Sequence, residues 1–251
     1  MNPWQLYDNL IEGIPESLSV ASCYAGCSWS TVTSDENKIG ISFTIPITSR
    51  AYLTQRPIVG SKLRDVALLS KSWNFVEAAL GVAAINAYYN QRERVAGFAV
   101  KHPAITEVQR DSFDIYREEI AGRKVTVVGH FPRLTERLED ICDLTILERQ
   151  PQQGDLPDSA CEYILGEQEY VFITGSTMIN KTLPRLLTLS QNAKTIIVGP
   201  STPLTPIMYG HGVDGLSGLI VDDAQRCEDV LREGNSMVLF KHGEMLSLIR
   251  Q

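Results

Sequence analysis

The chain has 251 residues, 43% of them hydrophobic and 21% charged, with a formal net charge of −7 and a pI near 5.2. This is ordinary composition for a globular protein long enough for two domains and for a core that needs no disulfides. The acidic balance disfavours nucleic acid and anionic membranes as partners, and no apolar run approaches the roughly 20 residues that cross a bilayer. The first residues, Met1-Asn2-Pro3-Trp4-Gln5-Leu6, carry neither a basic segment nor an apolar one, so no signal peptide is expected and the expected location is cytoplasmic. Five scattered cysteines (Cys23, Cys27, Cys142, Cys161 and Cys227) read as free thiols rather than a disulfide framework.

In chain order, residues 3–13 predict a short amphipathic helix stopped by Gly13 and Pro15. Three strands follow at Ser19–Tyr24, Trp29–Thr33 and Ile39–Ile45, the last two joined by the turn-rich 34–38. Residues 61–71 predict a helix capped by Ser61, and Asn74 to Gln91 an alanine-rich one that can pack closely on several sides. Clustered strands followed by helices make an α+β unit. Residues 92–113 are polar and irregular, leading towards a domain junction and a short helix at 113–121.

From Arg123 the pattern becomes alternation. Strands are predicted at 124–128, 144–147, 170–174, 195–198 and near 218–221. Helices are predicted at 134–141, 157–165, 178–190, 205–210 and 223–233, and 236–240 reads as a final strand or extended tail. Such alternation marks a doubly wound, Rossmann-like α/β domain with a mainly parallel sheet. The division expected is 1–110 and 111–251.

Ligands of open parallel sheets bind beyond the carboxyl ends of the strands, so the candidate site residues are sought there. The first such end is Val128-Gly129-His130-Phe131-Pro132. It has one glycine where a dinucleotide fingerprint has three, so a dinucleotide is disfavoured. The second ends in Glu148, about 20 residues beyond Gly129, where an acid can hold a ribose diol. A solvated strand-end acid would look the same. The third opens into Gly175-Ser176-Thr177 with Asn180 one turn on, and the fourth into Gly199-Pro200-Ser201-Thr202. Gly129, Gly175, Ser176, Thr177, Asn180, Gly199, Ser201 and Thr202 are therefore ligand-binding candidates, although Ser176 or Thr177 can equally be a helix cap. Asn86 and Asn90 share one face of the alanine-rich helix and are added as groups that could close an interdomain pocket. His130 and Glu148 are the candidate acid/base pair. His211, between glycines, is a weaker candidate, and His102 and His242 read as surface residues. No His-x-x-x-His or His-Glu-x-x-His spacing is present, so the metal, if any, is unknown.

Several of these stretches together resemble the putative heavy-metal chelation protein family, which joins an enolase N-terminal-like domain to a Rossmann-like domain. The resemblance rests on Gly26 with Trp29, Ile85-Asn86-Ala87, Val128 to Pro132, Leu147-Glu148, Thr174 to Leu183, Val198 to Pro203 and Gly212-Val213-Asp214 with Gly218, and spans almost the whole chain. It implies a cleft between domains and chemistry on a small metal-chelating or heterocyclic metabolite, pterin-, flavin- or siderophore-like. The function expected is binding or processing of such a metabolite or metal chelate. The alternatives are a non-enzymatic metal-binding or carrier protein, with His130, Glu148 and His211 as ligands, and a nucleoside- or S-adenosylmethionine-dependent transferase. A metal ion as cofactor and a homo-oligomer stay open.

Overall fold

The computed structural model describes all residues except Met1, Thr48, Leu53, Gln55, 101–111, Asn235 and Gln251, and for 99–100 and 236–238 the backbone alone. Helix α1 (Gln5–Glu12) turns Leu6, Tyr7, Leu10 and Ile11 inward, as their spacing requires. Strands β1 (Val20–Ala25), β2 (Trp29–Ser34) and β3 (Ile39–Phe43) form an antiparallel meander in the order β1-β2-β3. Helix α2 (Leu63–Ala67) continues as a 3-10 turn to Lys71. It has no side-chain cap, because the Ser61 hydroxyl instead donates to the Pro57 carbonyl.

Helix α3 (Phe75–Tyr89) is the axle of this half. Asn74 caps it by accepting from the amides of Val76 and Glu77. It is buried on nearly every side, so amphipathicity is absent and small residues set the packing. A Cβ on Gly40 of β3 would sit 2.0 Å from Ala87 N, and one on Gly81 would sit 1.9 Å from Ser70 N. Strand and turn can approach α3 this closely only because those two positions are glycine.

After the short helix α4 (Arg92–Val95) comes β4 (Ala99–Val100), followed beyond the undescribed 101–111 by a 3-10 turn at Asp114–Tyr116 where a longer helix was expected. The alternating half runs β5 (Lys124–Val128), α5 (Leu134–Leu138), β6 (Asp143–Glu148), β7 (Leu156–Pro157), α6 (Cys161–Ile164), β8 (Tyr170–Thr174), α7 (Leu183–Leu189), β9 (Lys194–Val198), β10 (Gly215–Val221), α8 (Ala224–Arg232) and β11 (Gly243–Ile249). The larger sheet has the order β4-β11-β10-β9-β8-β5-β6-β7. It is parallel from β10 through β7, with β11 and β4 antiparallel at one side.

Other local expectations change as well. Residues 236–241 form a 3-10 turn, and the last strand is Gly243–Ile249, hydrogen-bonded along all of β10. The helix expected over 178–190 is divided. A 3-10 turn covers Gly175–Met178, Asn180 accepts from the Thr182 amide, Lys181 takes a left-handed φ of +70°, and α7 starts afresh with Pro184 in its first turn. The expected boundary near residue 110 lies outside the described residues, and β4, from before it, pairs with β11 in the larger sheet.

The chain is thus α+β, a small antiparallel sheet beside a large, mainly parallel one. One core cluster runs from Leu6 through α3 to Val171, Ile197 and Leu216, so the two halves share their apolar interior. Among the described residues no helix is long and apolar enough to cross a membrane.

Candidate functional site

The parallel register assembles the site. Val128 of β5 stands opposite Leu147 of β6 and Ile173 of β8, so Gly129, Glu148 and Thr174 leave the sheet together. The chain runs outward from β5 through β6 to β7, then returns past β5 to β8 and β9, which puts the topological switch point at β5/β8. Gly129, at φ +110°, turns the backbone away, and a Cβ there would lie 2.9 Å from the Thr174 methyl.

A pocket of about 450 Å³ opens at this edge. Its floor is apolar, from Val128, Leu147 and Leu186. One wall carries Thr174, Ser176, Thr177, Asn180 and Thr182. Asp158, Ser159, Cys161 and Glu162, with Arg149 and Arg185, also line it. Both arginines are committed: Arg149 to Asp158 at 2.9 Å, and Arg185 to Glu162 at 2.9 and 2.5 Å. Among the described residues, Glu148 is the lining charge without an ion-pair partner.

Glu148 is held by backbone. Its Oε2 accepts from the His130 amide at 2.9 Å and its Oε1 from the Gln150 amide at 3.1 Å. The His130 imidazole is paired through Nδ1 with Asp155 Oδ2 at 2.9 Å, and the same Asp155 oxygen accepts from the Gln152 amide at 3.0 Å. The Asp155 side chain is 2% exposed and that of His130 23%. A buried carboxylate on one nitrogen of a partly exposed imidazole holds the ring in a fixed orientation, as an acid/base histidine requires.

Not all of the expected residues meet here. Gly129, Glu148, Ser176, Thr177 and Asn180 line the pocket, with His130 beside it. Asn86, Asn90, Ser201 and Thr202 are fully buried elsewhere and do not line it. Asn86 donates to Ile41 O at 2.8 Å, and Ser201 Oγ accepts from the Phe43 amide at 2.8 Å. Together with Gln91 Nε2 on Ile39 O at 3.4 Å, they satisfy the outer edge of β3, which would otherwise be unpaired. Asn90 donates to Thr202 O (2.9 Å) and Leu219 O (3.2 Å) and accepts from the Leu204 amide (2.7 Å), pinning the end of α3 to the second half.

The residues expected to close an interdomain cleft are thus buried in contacts between the halves, and among the described residues the lining of this pocket comes from 128–186. Gly175 belongs to the same closure: a Cβ there would meet Thr202 N and Oγ1 at 2.8 Å. Gly199, at φ +105°, is a buried turn glycine outside the lining. His211 lies against Asn9 of α1, with Nε2 3.1 Å from Nδ2, burial holding its pKa below the ordinary value, and His102 falls outside the described residues.

Sequence reasoning missed Asp155, the two ion pairs of the lining and Cys161. None sits in a recognisable motif; residues 157–165 read only as a helix, and Asp155 as loop. Burial, with Glu162 and Asp158 adjacent, holds the Cys161 thiol above its ordinary pKa, so it stays protonated at neutral pH and is a poor nucleophile. Lys181, next to the pocket wall, points elsewhere. Its Nζ donates to Ile179 O at 2.6 Å and lies 5.9 Å from the Trp73 ring, and burial lowers its pKa to about 8. Among the described residues no three His, Cys, Asp or Glu side chains are grouped to hold a metal ion. A second hollow, of about 490 Å³, lies at the opposite edge of the sheet, where β9 and β10 begin, among Gln191, Lys194, Asp214 and Arg250.

Comparison with known proteins places this architecture. A family model described as "putative heavy-metal chelation", DUF364, matches residues 111–249, and a second with the same description, DUF4213, matches residues 7–89. The chain belongs to the DUF364 family. A family member of unknown function from Desulfitobacterium hafniense, known as a crystal structure, is 40% identical. It superimposes with a TM-score of 0.90 over 98% of both chains. A second, from Pyrococcus horikoshii, is 21% identical with a TM-score of 0.81 over 99% of this chain and 100% of that one, a likeness of fold alone. An uncharacterized protein of Methanocaldococcus jannaschii is 27% identical over 246 residues, 93% of this chain and 90% of its own length. The family resemblance drawn from the motifs is thereby confirmed, as is the pairing of an α+β half with a Rossmann-like half.

Proposed function

We propose that the protein binds or processes a small metal-chelating or heterocyclic metabolite, pterin-, flavin- or siderophore-like, in the strand-end pocket, and so takes part in heavy-metal chelation. The observation that carries this reading is Glu148, a carboxylate fixed by two backbone amides, lining the pocket with apolar Val128, Leu147 and Leu186 and, among the described residues, without a cationic partner. The volume, about 450 Å³, is that of a small-molecule site. A planar ligand lies on Val128, Leu147 and Leu186, with its polar edge toward the hydroxyl wall and a cationic or hydroxyl-bearing group at Glu148. His130, oriented by Asp155, is the group that moves a proton if the metabolite is processed rather than stored.

The donor set fits a metal that arrives already chelated. A carrier using its own side chains needs several hard or soft ligands converging on one point, and no such group of three exists among the described residues. Native mass spectrometry of freshly purified protein, with elemental analysis of the same sample, tests the proposal. The expected result is an organic mass bound to the wild type and depleted in Glu148→Gln. Metal retained as bare ions, or equal ligand occupancy in both proteins, overturns it.

A further inference from the structure

We infer that the pocket reads a vicinal diol, and that its ligand class is an unphosphorylated ribosyl heterocycle: a nucleoside or a close analogue. The inference rests on the pocket proposed above and specifies what enters it.

The first argument is the geometry of Glu148. A carboxylate only accepts, and its two oxygens offer about four lone-pair positions. One on each oxygen is occupied by a backbone amide, from His130 and from Gln150. Those two bonds fix the plane of the group and leave one acceptor position on each oxygen. Since Glu148 lines the pocket, a pair of adjacent hydroxyls is the donor set that uses both at once. Glu148 also ends the strand next to β5, at the edge where doubly wound sheets place the acid that takes ribose hydroxyls.

The second argument is what the pocket lacks for phosphate. The β5–α5 turn has a single glycine, Gly129, followed by His130, Phe131 and Pro132. A pyrophosphate needs close backbone approach over several residues, and this turn lacks the further glycines that permit it. Arg149 and Arg185, the basic residues of the lining, are paired with Asp158 and Glu162. The lining keeps one uncompensated negative charge, at Glu148, which repels an anionic ligand.

The third argument is Asn180. Its Oδ1 accepts from Thr182 N at 3.1 Å and from Thr182 Oγ1 at 2.6 Å. These bonds fix which end of the amide is oxygen, and its Nδ2, without a partner among the described residues, is a donor available to the pocket. Asn180 and Glu148 line the same pocket, so a ring whose ribose sits on Glu148 can present a ring nitrogen or carbonyl acceptor to the Asn180 amide.

Calorimetric titration of the intact protein tests this directly. The probes are adenosine, guanosine, cytidine, uridine and riboflavin, the 2′-deoxy forms of the four nucleosides, and their 5′-monophosphates. At least one ribonucleoside or riboflavin is expected to bind. Removing the 2′-hydroxyl of a bound nucleoside should weaken it about tenfold to a hundredfold, the loss of a hydrogen bond to a charged group. Its 5′-monophosphate should bind more weakly still. Glu148→Ala should abolish binding, with circular dichroism confirming the fold; the wild-type comparison of ribo and deoxy forms needs no variant. Equal affinity of ribo and deoxy forms, tighter binding of a monophosphate, or no binding of any probe overturns the inference. If no probe binds while native mass spectrometry shows a Glu148-dependent ligand without a diol, the pocket assignment stands and the diol reading falls. If Glu148 affects neither, both fall.

Discussion

Asn90 decides between two readings of the same residue. As a ligand group, its removal would spare stability and weaken a ligand; as a staple between the halves, the reverse. Asn90→Ala strips the Thr202 carbonyl and the Leu204 amide of their side-chain partner and removes a second, longer contact to Leu219 O. The site is 2% exposed, so water does not reach these groups without rearrangement. A buried backbone group left unsatisfied costs about 1–3 kcal/mol, so two of them give about 4 kcal/mol. That is a large part of a typical total of about 5–15 kcal/mol. For a chain of this length it corresponds to a fall in Tm of about 8–16 °C. Asn90→Asp sharpens the test. The carboxylate can still accept from Leu204, but it faces the Thr202 and Leu219 carbonyl oxygens, so burial and repulsion raise its pKa. Its protonated form can donate to Thr202 O. The variant should therefore be most impaired at pH 7 and recover as pH falls toward the ordinary carboxylate value of about 4. Differential scanning calorimetry from pH 4 to 8 measures both effects. A Tm drop below about 3 °C for Asn90→Ala, or no pH recovery for Asn90→Asp, refutes the staple.

Other consequences follow from packing and titration. Gly40→Ala places a methyl about 2 Å from backbone atoms of α3, Ala87 N and Ala83 O, which cannot give way as a side chain would. It should cost more than about 3 kcal/mol and show as loss of folded protein by circular dichroism, whereas Gly166→Ala, with open space around it, should be neutral or stabilising by about 0.4–1 kcal/mol. For Lys181, with a folded pKa of about 8, the amine is protonated in both states below pH 8. Between about 8 and 10.5 the unfolded chain keeps a proton that the folded one has released, so stability rises with pH. Discounted for partial solvent access, the rise is about 1–3 kcal/mol. Urea titrations at several pH values should show it in wild type minus Lys181→Met, and a difference flat with pH would refute it. Glu148→Gln should cost less than about 1 kcal/mol by urea titration, because the amide can keep its oxygen on the His130 N–H, and the Gln150 N–H, which its NH₂ cannot accept from, is exposed and turns to water.

Much of the candidate pocket was legible because strand ends are local. Apolar β-rich runs of about five residues, each ending in glycine, an acid or hydroxyls, mark where strands stop. In a parallel sheet such stops fall along one edge. Val128, Leu147 and Ile173 pair in register, so Gly129, Glu148 and Thr174 had to emerge together once the strands were recognised. The same local logic located α3 from its alanines and the Asn74 cap.

The fate of polar side chains was not legible, because it depends on what faces them. Asn86 and Asn90 on an apolar helix announce a hydrogen-bonding need, but nothing along the chain says whether a ligand or a backbone answers it. The tertiary structure supplies backbone: Ile41 for one, and Thr202, Leu219 and Leu204 for the other. Asp155 shows the converse, a loop residue made significant because a turn of chain brings it within 2.9 Å of His130. By itself the sequence determined the elements, their alternation and the edge on which the strand ends lie, since these follow from short-range patterns of hydrophobicity and turn residues. Only the tertiary structure decided which polar groups are consumed in joining the halves and which remain facing a pocket, because hydrogen bonds between residues more than a hundred positions apart are settled by the packing of one half on the other.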